Sequence, residues 1–276
     1  MARTIASRWM HPVLRNEITG TAEWFEAQRR MIRQKPLIRR CYALWYEALL
    51  QDADSVPEAG RSAAVVELGS GSSFIKEIRP DVLTSDIVPG DHDVVLDARV
   101  LPFRDGSVRA LLLTHAFHHI PDVAAFLAEA CRVLVPHGVI SLIETSHTPF
   151  ARWFFRTLHP EPYHDRAEHW AFPAHHSMLD SNQALSWIVF VRDAQRLQAE
   201  FPALRLERSR YLPWFSYLAS GGVNLRSIVP VALSPLFLGA DLLLRPVDCL
   251  FAIHWHLTIR RLPGSLAQAG EGDNVR

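Results

Sequence analysis

Lysine is nearly missing from this chain: Lys35 and Lys76 stand alone, and almost all positive charge is arginine. With 29 basic and 29 acidic residues the formal net charge is zero. That argues against a binder held to a polyanion by long-range electrostatics, and no basic tail is present to track a phosphate backbone, so nucleic acid is not an expected partner. Cysteine is scarce as well. Cys41, Cys131 and Cys249 are odd in number, far apart and without a CxxC pair, which excludes a disulfide framework and a zinc knuckle and points to a reducing, cytoplasmic setting. No long apolar run is present. The stretch Ser227–Leu244 is broken by Pro230, Pro235, Gly239 and Asp241, short of the roughly 20 mostly apolar residues that span a bilayer. A transmembrane segment is therefore not expected, while a peripheral contact with a membrane stays open. The opening MARTIASRWMHPVLRN holds no secretory apolar core, and no internal repeat is visible.

What is present is enough for a real core: 276 residues, 49% of them hydrophobic, fit one large domain or two small ones. Trp24, Phe25, Met31 and Ile32, then Leu37, Cys41, Leu44, Trp45 and Ala48 beyond Pro36, predict two amphipathic helices parted by a proline break. A polar stretch, 51–62, leads to a different texture. Between residues 63 and 144 the runs AAVVEL, VLTSDI, DVVLDA, ALLLTH and GVISLIE alternate with helical segments. Apolar on both faces and rich in Val, Ile and Leu, they read as strands of a covered parallel sheet. Asp122 is placed to cap a crossover helix reaching Leu134. The expected fold is α/β, a doubly wound Rossmann-like sheet, mostly parallel with an antiparallel last strand, under an N-terminal helical cap. Its expected division is a cap over 1–60, an α/β core over 61–146, a substrate segment with the closing strands over 147–262, and a disordered tail over 263–276. Within the third part a helix is expected over 184–201 and strands over 204–212 and 248–261, with an apolar, proline-broken segment between the strands.

The most informative stretch is VVELGSGSS, residues 65–73, where an apolar strand ends in an acid and runs into a glycine turn. Gly69 and Gly71 permit backbone angles closed to other residues and let a ligand approach the main chain. The turn feeds an expected helix over 72–78. It reads either as a nucleotide-type site or as a tight strand-to-helix connection. Asp86 ends the second strand, where a carboxylate can accept hydrogen bonds from both ribose hydroxyls, with Ile87 beside it; the plain alternative is a turn aspartate before Pro89-Gly90. Asp97-Ala98 followed by Leu101-Pro102-Phe103 could seat a flat ring, or Asp97 is a loop acid.

Taken together these pieces resemble the class I S-adenosylmethionine-dependent methyltransferases, in particular the small-molecule branch called type 11. The resemblance runs over about residues 63–146 and rests on Glu67-Leu68-Gly69-Ser70-Gly71, Asp86, Asp97-Ala98 with LPF, ALLLTHAFHHI, and ACRVLVPHG leading into GVISLIE. It implies S-adenosyl-L-methionine as cofactor, with Glu67, Gly69, Ser70 and Gly71 at its methionine part, Asp86 and Ile87 at the ribose, Asp97 and Ala98 at the adenine and His115 on its far side. Two positions depart from the family pattern. Its usual third glycine is Ser73, and its Pro-Gly-Gly turn is Pro136-His137-Gly138.

Methyl transfer asks a protein to align a nucleophile and exclude water, and an oxygen or nitrogen acceptor also has to lose a proton. Candidate bases are His118 and His119 after the fourth strand, and Glu144, His147, His159, Glu161 and His164 after the fifth. Residues 147–176 hold six of the 14 histidines. His159, His164 and His169, spaced by five, do not share a helix face, and no metal is expected. The basic cluster Arg29, Arg30, Arg33, Lys35, Arg39 and Arg40 reads as a solvated helix face paired with Glu23, Glu26 and Glu47, or as a cap gripping an anionic or lipid-linked substrate. The expected activity is methylation of a small, lipophilic or lipid-linked acceptor, oxygen favoured. Its rivals are a methyltransferase-like binding protein without turnover and a nicotinamide oxidoreductase, the latter opposed by the turn GSGSSF, which lacks the last glycine of GxGxxG.

Overall fold

The computed structural model describes residues 18, 20–173 and 180–264. Of the tail expected to be disordered, residues 265–276 lie outside that range, as do His175 and His176 of the histidine-rich segment and most of the opening segment. The strands are β1 (Ala64–Leu68), β2 (Leu83–Asp86), β3 (Val94–Val95), β4 (Val108–Thr114), β5 (Leu134–Thr145), β6 (Leu204–Tyr211) and β7 (His254–Arg261). The α-helices are α1 (Ala22–Gln34), α2 (Pro36–Asp54), α3 (Val123–Val133), α4 (Pro149–Thr157), α5 (Leu185–Trp187), α6 (Ala194–Glu200), α7 (Phe215–Ser220), α8 (Ser234–Leu244) and α9 (Asp248–Phe251).

One seven-stranded sheet runs in the order β3-β2-β1-β4-β5-β7-β6. β1, β2, β3, β4 and β5 pair in parallel, and β7 runs antiparallel to both β5 and β6. This is the mixed, doubly wound sheet expected, with β7 as its reversed strand. Alternation along the strands feeds two layers. Val65, Ala110, Leu112, Val139 and Ile143 pack with Cys41, Trp45, Leu49 and Ala53, a stripe at helical spacing on α2. Val66, Leu111, Leu113, Ile140 and Leu142 pack on the other side with Phe126, Leu127, Ala130 and Val133 of α3. The Asp122 carboxylate caps α3 by accepting from the Ala125 N–H at 3.1 Å. Asp52 fastens α2 to the sheet. Its Oδ2 accepts from Ser141 and Thr258, both at 2.7 Å, and lies 2.8 Å from His256 Nε2.

Four elements differ from the sequence expectation. The helix expected over 72–78 is a single 3-10 turn, Phe74–Glu77, because Pro80 disfavours helical angles at Arg79 and leaves no room for a second turn. The third strand shrinks to two residues because the Asp93 carboxylate accepts the Thr84 N–H at 2.8 Å, in place of a backbone partner. The helix expected over 184–201 breaks into α5, a π turn at Ile188–Arg192 and α6. At that break Asp193 donates its N–H to Ile188 O, and its carboxylate takes Trp170 Nε1 at 2.9 Å. The last strand starts at His254, not 248, because β5 ends at Thr145, the ladder partner of His254. The residues before it fold into α9.

Candidate active site

β1 lies between β2 and β4, so the chain crosses in opposite directions from it, and the carboxyl ends of β1 and β4 open a crevice where doubly wound sheets take ligands. The glycine turn leaves β1 there. Gly69 holds φ +66, and a Cβ on it would stand 2.5 Å from the Cβ of Ala116, just past β4. Ser73, at the family's third glycine position, adopts the left-handed angles a glycine would supply, with φ 49. Its hydroxyl is held 2.8 Å from His92 Nδ1. Asp86 stands at the end of β2 and accepts the N–H groups of Gly71 and Val88, both at 3.0 Å. It thus shapes the turn. Ser70 ties the turn to β2, accepting the Ser85 N–H at 3.1 Å.

α1 lies on this turn. Phe25 would touch a Cβ at Gly71 at 3.3 Å, Arg29 donates to Ser72 O and pairs with Asp91 at 2.8 Å, and Arg33 pairs with Glu77 at 2.6 Å. Lys35 donates to Gly222 O and Leu225 O. Much of the basic cluster is therefore spent holding α1 in place, with Arg40 paired to Glu47; partners of Arg29 and Arg33 come from the turn region, not from Glu23 or Glu26.

Below the turn, buried polar atoms stand without partners among the described residues: Glu67 Oε2, Thr114 Oγ1, His115 Nε2 and His254 Nδ1. Such orphans are rare in a folded interior and call for a ligand or water. Burial pushes the Glu67 carboxyl up to about 7, against a hydrogen bond from Tyr46. Burial likewise lowers His115 to about 4, so it is neutral at pH 7. His115, itself at φ 56, sits among the rings of Trp45 and His254, 5.3 and 4.5 Å away. Trp45 was read in the sequence as a helix position; Tyr46, Tyr217 and His254 were not singled out, because nothing in it marks helix and strand residues so distant as neighbours. Asp97 is engaged by Arg99 through a contact of 2.6 Å, Ala98 is half-buried, and Ile87 is exposed.

The base candidates converge on one cluster. His118 Nδ1 meets Glu144 Oε2 at 2.6 Å, and its Nε2 lies 3.3 Å from Glu161 Oε2. Glu144, fully buried, also accepts the Phe117 N–H at 2.9 Å. Burial alone would lower His118, but the two carboxylates raise it to about 10; both carboxyls are held below their usual range by that imidazole despite burial. His119 Nε2 lies 3.6 Å from Glu161, and burial lowers its pKa to about 4. His159 accepts the Glu161 N–H at 3.3 Å and so fixes that loop. His147 stands apart, stacked 3.6 Å from Trp187 and bonded to the Tyr163 hydroxyl at 2.7 Å. His164 is exposed and holds Asn182 through its backbone. Gln183, missed in the sequence, donates to Glu161 and lies 2.9 Å from His118 Nε2. An open cavity of about 600 Å³ flanks the cluster, lined in part by Tyr163, Ser181, Asn182 and Leu185, and Ser181 donates to Glu161 at 3.4 Å.

Residues 68–142, from the end of β1 into β5, match the family described as "Methyltransferase domain", of the type 11 group. A demethylmenaquinone methyltransferase of Renibacterium salmoninarum is 30% identical over 105 residues, 38% of this chain and 40% of that protein. A ubiquinone/menaquinone biosynthesis C-methyltransferase of Brucella abortus is 27% identical over 110 residues, covering 37% of this chain and 41% of that protein. The chain thus spans about two fifths of the length of these curated relatives. Among solved structures, the geranyl diphosphate C-methyltransferase of Streptomyces coelicolor is 15% identical, with 94% of this chain and 97% of that one covered at a TM-score of 0.45. The fold assignment rests on the strand order and pairing of the chain itself. Residues 68–142 thus match the type 11 methyltransferase domain and lie within a seven-stranded Rossmann-like sheet.

Proposed function

We propose that the chain moves a methyl group from S-adenosylmethionine to a small, lipophilic, hydroxylated acceptor. The observation that carries this reading is the buried Glu67 carboxyl, whose Oε2 has no partner among the described residues, one residue before the matched segment. The cofactor supplies an activated methyl group on a sulfonium. Glu67 would take its ammonium, Gly69, Ser70 and Gly71 would let it approach the main chain, Asp86 would take the ribose hydroxyls beside Ile87, and Ala98 would line the adenine end. Asp97 would reach the adenine amine once Arg99 yields. His115, neutral and with a bare Nε2, would flank the methyl-bearing side.

The chain's own contribution is alignment and exclusion of water, which together can supply roughly 7–11 kcal/mol of the barrier. The packed rings of Trp45, Tyr217 and His254 around His115 would shield the methyl-bearing side from water. His118, His119 and Glu161, with Glu144 and His159 behind them, would face the acceptor's hydroxyl and hold or move its proton; His147 lies off this path. Oxygen is the favoured atom. The quinone C-methyltransferases among the relatives support a carbon of the acceptor as the second reading.

A lipid source for the acceptor is supported by the surface beyond Gly222. Ile228, Val231, Leu236, Leu242 and Leu243 are exposed there, Leu243 to 83%, while the exposed charges of that stretch are Arg226 and Arg245. No described helix is long and apolar enough to cross a membrane, so a peripheral contact is proposed. The test is turnover: protein incubated with methyl-labelled S-adenosylmethionine and a panel of phenols and prenylated quinols should label one class of acceptor. Cofactor binding with no labelled product from the panel or from a broad lipid extract would favour the silent binding protein.

A further inference from the structure

We propose that His118, His119 and Glu161 form a binding site for a divalent transition metal ion, with an open coordination position for a hydroxyl or carbonyl oxygen of the acceptor. The open position rests on the methyl-transfer reading; the metal site does not.

Three donor atoms meet at a suitable spacing. His118 Nε2, His119 Nε2 and Glu161 Oε2 all lie within 4.8 Å of one another, with 3.3 and 3.6 Å for the two histidine-to-carboxylate distances. Ligands at zinc's ordinary bond lengths of ~2.0–2.1 Å and tetrahedral angles stand about 3.4 Å apart. The cluster is thus nearly at the geometry an ion would impose.

Both imidazoles are also turned the right way. A histidine that binds metal through one nitrogen commonly gives its other N–H to a carboxylate or a backbone carbonyl, which fixes its tautomer and ring. His118 Nδ1 meets the Glu144 carboxylate at 2.6 Å, and His119 Nδ1 meets the backbone carbonyl of Asp180 at 3.2 Å. Each is left with Nε2 toward Glu161. The backbone that carries them is pinned, because His118 O accepts the Asn182 N–H at 2.9 Å and the Phe117 N–H bonds Glu144.

A fourth donor is close. Gln183 presents its amide nitrogen to His118 Nε2 and Glu161, while its Oε1 is buried with no partner among the described residues. Turning that amide over would exchange the two atoms and bring the carbonyl oxygen to the centre.

Charge points the same way. Elsewhere the chain answers carboxylates with arginine, as Asp165 with Arg152 and Arg156, or Asp97 with Arg99. Glu144 and Glu161 have ion-pair partners that are histidines alone among the described residues. Two carboxylates packed together without lysine or arginine are complemented by a doubly charged cation. Two imidazoles with one carboxylate suit zinc, cobalt or ferrous iron and disfavour magnesium and calcium, which prefer oxygen donors throughout. The side chains of His119 and Glu161 are 24% and 20% exposed, which leaves a route for the ion and a face for an acceptor oxygen. The spacing argument from the sequence concerned His159, His164 and His169; the structure gathers a different set.

The test uses the full chain, freed of metal with a chelator and titrated with zinc by calorimetry and with cobalt by visible absorption. One ion per chain is expected, with cobalt bands of a low-coordinate nitrogen and oxygen site. His119→Ala and Glu161→Gln should each weaken zinc binding at least tenfold, and Glu144→Gln by about tenfold to a hundredfold through the lost orientation of His118. The exposed His164→Ala and His169→Ala should bind zinc as the parent does. Cooperative thermal unfolding of each variant, close to that of the parent, separates loss of a ligand from loss of fold. Failure of the parent to retain one zinc, or parent-like affinity in both His119→Ala and Glu161→Gln, would overturn the site. Titration of the same samples with S-adenosylhomocysteine keeps the two readings apart: zinc binding without cofactor binding would sink the methyltransferase reading and leave the metal site standing.

Discussion

Glu67 couples stability to pH in a direction opposite to that of an ordinary paired carboxylate. Its folded-state pKa is about 7 because burial penalises the anion, whereas an unfolded glutamate titrates near about 4.3. Below the unfolded value both states hold the proton, and the folded state keeps its full stability with respect to this group. As pH rises through about 7 the folded state must hold a buried anion, and that stability is lost. At about 1.4 kcal/mol per pH unit, the window between the two values is worth about 4 kcal/mol, or a fall of roughly 10 °C in midpoint for a chain of this size. The perturbation is Glu67→Gln, which keeps the shape and removes the titration. Thermal unfolding of cofactor-free protein, followed by circular dichroism at pH 5, 6, 7 and 8, should show the two proteins close together at pH 5 and the glutamine variant ahead by roughly 10 °C at pH 8. Midpoint curves that stay parallel across that range would refute the burial argument. The same proton gives a binding signature. Where Glu67 meets the cofactor's ammonium, S-adenosylmethionine binding at pH 6 should release a proton, read as heats that differ between buffers of different ionisation enthalpy.

Asp86→Ala should weaken S-adenosylhomocysteine binding at least tenfold in calorimetry, since it removes both the proposed ribose acceptor and the carboxylate that holds the Gly71 N–H; unchanged affinity would sink that assignment. Gly69→Val is the poorer probe, because its Cβ would collide with Ala116 and disturb the fold itself. His159→Ala should lower kcat at least tenfold in the labelled-methyl assay while cofactor affinity stays within twofold, because His159 holds the Glu161 backbone; an untouched rate would make the segment scaffold. Replacing Leu242 and Leu243 together with aspartate should abolish co-flotation with anionic phosphatidylglycerol vesicles and leave thermal stability nearly unchanged, since both side chains are exposed. Equal flotation of parent and variant would remove the membrane contact.

The parts of this molecule that were legible in the sequence are those written in local pattern. Runs of Val, Ile and Leu marked β1, β4 and β5, Asp122 marked the start of α3, and an acid followed by Gly-Ser-Gly marked the turn at the crevice. The rest depends on partners that no local rule connects. Asp93 shortens β3 by offering a side chain where a ladder bond was expected, and Asp193 breaks a helix whose hydrophobic pattern runs on unbroken. The Asp52 anchor joins α2 to Ser141, His256 and Thr258, residues that read as unremarkable positions in strands. In the site, His118, His119 and Glu161 each drew notice for their chemistry, but their convergence with Gln183 comes from the loop after α4 folding back over β4 and β5. The spacing of histidines along the chain could not reveal that.

If the glycine turn over β1 and β4 takes S-adenosylmethionine, calorimetric titration of purified, metal-free protein with S-adenosylhomocysteine, with NADH as the control ligand, should show it. Saturable 1:1 binding of S-adenosylhomocysteine and none of NADH is expected. Binding of NADH alone, or of neither ligand, would contradict it.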